Sequence, residues 1–92
     1  MAARAETITA STTAAWVTLD QAWPALEITN HDDTAAIWYS FAGDAAAEDS
    51  DCGVVLPGRA KVIAAPMSEA GKNPVSIVAA SGTPTVTVEG VN

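Results

Sequence analysis

A chain of 92 residues with 11 acidic and four basic side chains, net charge −7, has the size of one small domain and little with which to neutralise a phosphate backbone. No apolar run is long enough to span a bilayer and no basic amphipathic stretch suits a membrane surface; the single cysteine, Cys52, excludes an internal disulfide framework. Of the apolar residues 20 are alanine, and the larger ones are mostly branched at Cβ, nine Val and five Ile against three Leu, with ten Thr adding to a bias that favours sheet over helix.

In chain order, Met1 to Thr13 is rich in Ala and Thr, with Ile8 its one large aliphatic side chain. It reads as an extended arm with room for one short strand near Glu6–Ala10, or as a frayed end. Its first residues lack the apolar core of a signal peptide, so folding in a cytoplasm is expected. Ala14 to Leu19 is the first clear strand, with Val17 and Leu19 on one face and Trp16 and Thr18 on the other. Asp20-Gln21-Ala22 breaks it, and Pro24, after Trp23, opens a strand or lies on an edge. Ala25 to Asn30 points Leu26 and Ile28 inward and Glu27 and Thr29 outward; Asn30-His31-Asp32-Asp33 is a polar turn. Ala36 to Ala42 carries bulk on both faces, Ile37, Tyr39 and Phe41 against Trp38, which places it centrally or under a cover. Residues 43–53 form an acidic, Ala-rich loop with Asp44, Glu48, Asp49 and Asp51 and space for a single helical turn over Ala45–Glu48.

Val54-Val55-Leu56 is a short strand stopped by the turn dipeptide Pro57-Gly58, and extended structure resumes over Arg59 to Ala65 until Pro66. Met67 to Pro74 is a polar loop. Val75 to Ala80 and Thr85 to Val91 then flank Ser81-Gly82-Thr83-Pro84, which reads as a closing hairpin with Val86 and Val88 in the core. The sum is about seven short strands without a helix of normal length: an all-β, antiparallel β-sandwich or partly closed barrel. The expected organisation is an extended arm over 1–13 and one β-sandwich domain over 14–92.

Residues able to do chemistry are sparse. His31 would have to serve any Ser-His-Asp relay, and it sits in a turn beside Asp32 and Asp33. His31 and Cys52 are two soft ligands where zinc sites use three or four, and the acidic loop lacks the EF-hand spacing, so no metal, cofactor or enzymatic activity is expected. The three tryptophans admit three readings: core filler, protein interface and sugar-stacking platform. Trp16 and Trp38 lie opposite the apolar faces of their strands, which favours an interface over a sugar site.

Leu26-Glu27-Ile28-Thr29-Asn30, Ile37-Trp38-Tyr39, Val55-Leu56-Pro57-Gly58 and the ending Ile77 to Val91 occur in an order that resembles small β-rich virion proteins of tailed bacteriophages, especially those of actinobacterial hosts. Proteins of this type decorate the capsid exterior. The resemblance implies a decoration (cement) protein, made in the host cytoplasm and placed on the outside of the virion. It would bind the major capsid protein and form a trimer at threefold or quasi-threefold positions, without nucleic acid or membrane partners. Ile8, Trp16, Trp23 and Trp38 are then the candidate contacts with capsid or neighbouring subunit. A tail or head-fibre component and a host-glycan-binding module are the alternatives.

Overall fold

The computed structural model describes residues 5–19, 21–65 and 72–91. The first residues of the expected arm, Asp20 of the expected break and most of the expected 67–74 loop, with Pro66 before it, lie outside that range. The described residues form eight strands: β1 (Ala5–Thr9), β2 (Ala15–Val17), β3 (Ala25–Asn30), β4 (Ile37–Ser40), β5 (Gly53–Val55), β6 (Ala60–Ala64), β7 (Val75–Ala79) and β8 (Thr85–Val91). They form two four-stranded antiparallel sheets, ordered β1-β8-β3-β6 and β2-β7-β4-β5. The sheets pack as an open sandwich rather than a closed barrel, and the described residues include no helix.

The pairing has a simple logic. β1 pairs with β8, β2 with β7, β3 with β6 and β4 with β5, as if one long ribbon had been doubled at its middle. The doubled ribbon then wraps, so that β8 also pairs with β3 and β7 with β4. This is jelly-roll connectivity. Of the links between successive strands, only that from β4 to β5 joins partners within one sheet; the others cross from sheet to sheet.

The closing segment is therefore corrected. β7 and β8 do not pair as a hairpin, because they belong to opposite sheets. The link between them contains Gly82 at φ +64°, where a side chain would be strained, and ends at the buried Pro84. The Pro84 carbonyl accepts the Ala10 N–H at 2.8 Å, and the Ser11 carbonyl accepts the Ala79 N–H at 2.7 Å, so residues 10–11 stitch the corner. The short strand allowed for near Glu6–Ala10 is present. Over Ala5–Thr9 it is an edge strand in full register with β8, from Ala5 opposite Glu89 to Thr9 opposite Thr85. Ala10 is completely buried and belongs to the core cluster, with Ile8 packed against it.

Alternation sets the core. β3 buries Leu26, Ile28 and Asn30, and β8 buries Val86, Val88 and Gly90. Facing them across the sandwich are Val17, Ile37, Tyr39, Val55, Val75, Ile77 and Ala79. Asn30 is the polar member of this set. Its side-chain N–H2 donates to the Ala35 carbonyl at 2.8 Å and the Val55 carbonyl at 3.2 Å, while its oxygen accepts the Asp32 N–H at 3.0 Å. It thereby ties the β3–β4 turn to β5 in the other sheet and satisfies groups that would otherwise be costly to bury.

Two glycines make room for rings. A Cβ on Gly90 would fall 2.3 Å from the Trp23 indole, and one on Gly53 about as close to the Tyr39 ring.

Candidate functional site

β7 has an unusual burial pattern for a strand in an eight-stranded sandwich: all five of its residues are buried. Val75, Ile77 and Ala79 face the core, so Ser76 and Val78 point to the outside of the sheet and something must cover them. The register shows what lies beside them. Trp16 on β2 and Ser40 on β4 sit opposite Ser76, while Trp38 on β4 sits opposite Val78 and is flanked on its other side by Val54 of β5. The rest of the cover comes from the β4–β5 loop, which folds back over this face. The Ala45 N–H donates to Ser76 Oγ at 2.9 Å, and Trp16 Nε1 donates to Asp44 Oδ1 at 2.8 Å.

The loop thus has two parts with different jobs. Asp44 and Ala45 form a strap across the sheet, with Ala45 buried. Residues 46–51 project into solvent. That projecting part is a compact turn in which the Ala46 carbonyl accepts the Asp49 N–H at 3.3 Å and the Asp49 carbonyl accepts the Cys52 N–H at 3.0 Å. The single helical turn allowed for at Ala45–Glu48 is absent; Glu48 instead adopts φ +62°.

The four candidate contact residues separate into two pairs. Ile8 packs against the core from edge strand β1, and Trp23 lies over Gly90 with its backbone N–H donated to Asn73 Oδ1 at 2.7 Å. Both serve packing. Trp16 and Trp38 share the outer face of the second sheet. Trp38 is half-buried, and its Nε1 has no hydrogen-bond partner among the described residues. Trp16 is 45% exposed, and its indole N–H donates to Asp44.

His31 is exposed, with Nε2 2.8 Å from Thr87 Oγ1, and Thr87 is also 2.9 Å from Thr7 Oγ1. The carboxylate of the neighbouring Asp32 is engaged within its own turn. Asp32 Oδ2 accepts the Ala35 N–H at 2.6 Å and both the N–H and hydroxyl of Thr34 at 3.0 Å. The Ala35 amide, then the Thr34 amide and hydroxyl, hold its carboxyl below the ordinary value of 3.8. These residues build the turn between β3 and β4. Among the described residues no three His, Cys, Asp or Glu side chains converge on a metal-sized site.

One feature escaped the sequence reading. The β5–β6 corner encloses a shallow pocket of about 290 Å³, lined by Val54, Val55, Leu56, Arg59, Ala60 and Lys61. The corner is closed by a β-turn with the Arg59 N–H donated to the Leu56 carbonyl at 3.1 Å and Gly58 at φ +69°, the left-handed value a type II turn needs there. Leu56 is 57% exposed at its rim. Lys61 pairs with Ile28 and so points to the core side of its strand, where its Nζ sits 5.6 Å from the Tyr39 ring centroid. The signal was present: Lys61 shares a face with Ile63, a charge in an inward position, as edge strands use against uncontrolled pairing.

No known family, curated protein or solved structure matches this chain.

Proposed function

We propose that this chain is a bacteriophage virion structural protein, a decoration protein that binds the outside of the head and bridges neighbouring major capsid protein subunits as a homo-oligomer. The observation that carries the reading is Trp16: a half-exposed indole on an edge strand, its N–H bound to Asp44, on the same face as the half-buried Trp38. A rigid aromatic of this kind is a suitable anchor for a protein interface, since it orders little on binding and buries a large apolar area. The jelly-roll connectivity supports the reading by analogy, because viral capsid domains are among its users. A lattice offers the same docking site many times, and an oligomer engages several at once, so modest contacts suffice.

The test is co-sedimentation with undecorated heads of the phage that encodes the chain. The wild-type protein should bind in a ratio fixed by lattice symmetry, and Trp16→Ala should remain folded but lose most of that binding.

A second reading, host-glycan binding, draws on the same indole, because jelly rolls also serve as lectin domains and an exposed indole can stack on a sugar ring. Under it, cell-wall glycan would change the tryptophan fluorescence with no head present.

A further inference from the structure

The chain has four basic side chains, and two of them, Arg59 and Lys61, stand at one pocket. Neither has an ion-pair partner among the described residues; Lys61 has only the Tyr39 ring. The floor between them is apolar, made by Val54, Val55 and Ala60, with Leu56 exposed at the rim. At about 290 Å³ the pocket suits one or two small side chains rather than a large ligand. An occupant therefore needs small apolar groups with carboxylates beside them.

The same chain presents that chemistry elsewhere. The projecting turn of the β4–β5 loop shows Ala46 and Ala47 followed by Glu48 and Asp49, all exposed. The strap through Ala45 and Asp44 fixes the base of the turn, so docking would order little new structure.

We infer that the β5–β6 pocket receives the 46–49 turn of a second copy of this chain, with the two alanines on the apolar floor and the carboxylates of Glu48 and Asp49 against Arg59 and Lys61. The contact is heterologous: turn of one copy, pocket of the next. Such contacts close into a ring or continue as a chain. A ring of three is the form the head-decoration reading calls for, and that detail alone rests on that reading.

Sedimentation velocity on the full chain, with no capsid present, tests the contact. At low ionic strength the sedimentation coefficient should rise with protein concentration, and added salt should weaken association as the charges are screened. Two charge reversals separate the sides: Arg59→Glu with Lys61→Glu, and Glu48→Lys with Asp49→Lys. Each alone should weaken association by about tenfold or more, and an equimolar mixture of the two should restore it. The second variant is informative because its net charge is smaller than that of the wild type, so loss of association cannot be general repulsion. Both pairs are exposed, and an unchanged thermal midpoint verifies folding; Arg59→Gln with Lys61→Gln replaces the first variant if it fails that check. A wild-type protein that stays monomeric at hundreds of micromolar in low salt overturns the inference. So does association that survives either reversal, or a mixture that does not recover it. None of these outcomes depends on head binding.

Discussion

Replacing Asn30 with alanine should destabilise the domain far more than the loss of one surface polar group. Asn30 is 1% exposed, and its side chain satisfies the Ala35 and Val55 carbonyls and the Asp32 N–H. Alanine leaves two buried carbonyls short of a donor, at roughly 1–1.5 kcal/mol each, and removes side-chain volume from a packed corner, for a total of about 3 kcal/mol. In a domain of this size each kcal/mol moves the midpoint by about 4–8 °C, so thermal unfolding followed by circular dichroism should show a drop of roughly 15 °C. Asn30→Asp adds a diagnostic. Its carboxylate would face the same two carbonyls, so burial and repulsion raise its folded-state pKa above the unfolded value. The penalty is then present at neutral pH and shrinks as pH falls through the raised pKa, where the protonated acid donates again. A drop of less than about 4 °C for the alanine variant, or an Asp variant indifferent to pH, would refute the claim that Asn30 ties the two sheets together.

Three further outcomes follow from the geometry. Gly90→Ala should push the Trp23 ring from its seat and cost roughly 1–3 kcal/mol in urea unfolding, with a change in native fluorescence, because the new Cβ would overlap the indole. Asp32→Ala should lower the thermal midpoint at neutral pH. The Asp32 pKa is depressed on folding, so its stabilisation is complete above the ordinary value of 3.8 and lost as pH falls through the folded-state value; the gap between variant and wild type should close there in parallel scans. Trp16→Ala should cost about 1–2 kcal/mol, the scale of a half-buried indole, while keeping the native circular dichroism spectrum.

The strands were legible because alternation is local. Ala25–Asn30 and Thr85–Val91 fall where the dry-and-wet pattern places them, and Val86 and Val88 are fully buried. Partner choice was not legible, because alternation names a face and not a neighbour. The Gly82 and Pro84 signals are equally apt for a hairpin and for a corner between sheets. A finer hint was available: Val75-Ser76-Ile77-Val78-Ala79 is nearly continuous in apolar character, as a strand covered on both faces must be, whereas Thr85–Val91 alternates strictly. Two strands so different in cover make an unequal hairpin.

The candidate site was half legible for the same reason. Face assignment brought Trp16 and Trp38 to the outer surface of one sheet. It did not reveal that the acidic loop returns over Ser76, since a hydrogen bond spanning 31 residues leaves no periodic trace. It also did not separate Trp23, whose place is set by the missing side chain of Gly90, from the other two indoles.

The central claim is that the chain docks on the phage head through the face bearing Trp16. Cryo-electron microscopy of heads incubated with the purified protein tests it most directly. The account predicts ordered density at symmetry-related positions on the outer surface, with β2 and its Trp16 turned toward capsid protein. Heads that remain bare at saturating protein, or density that turns Trp16 to solvent, would contradict it.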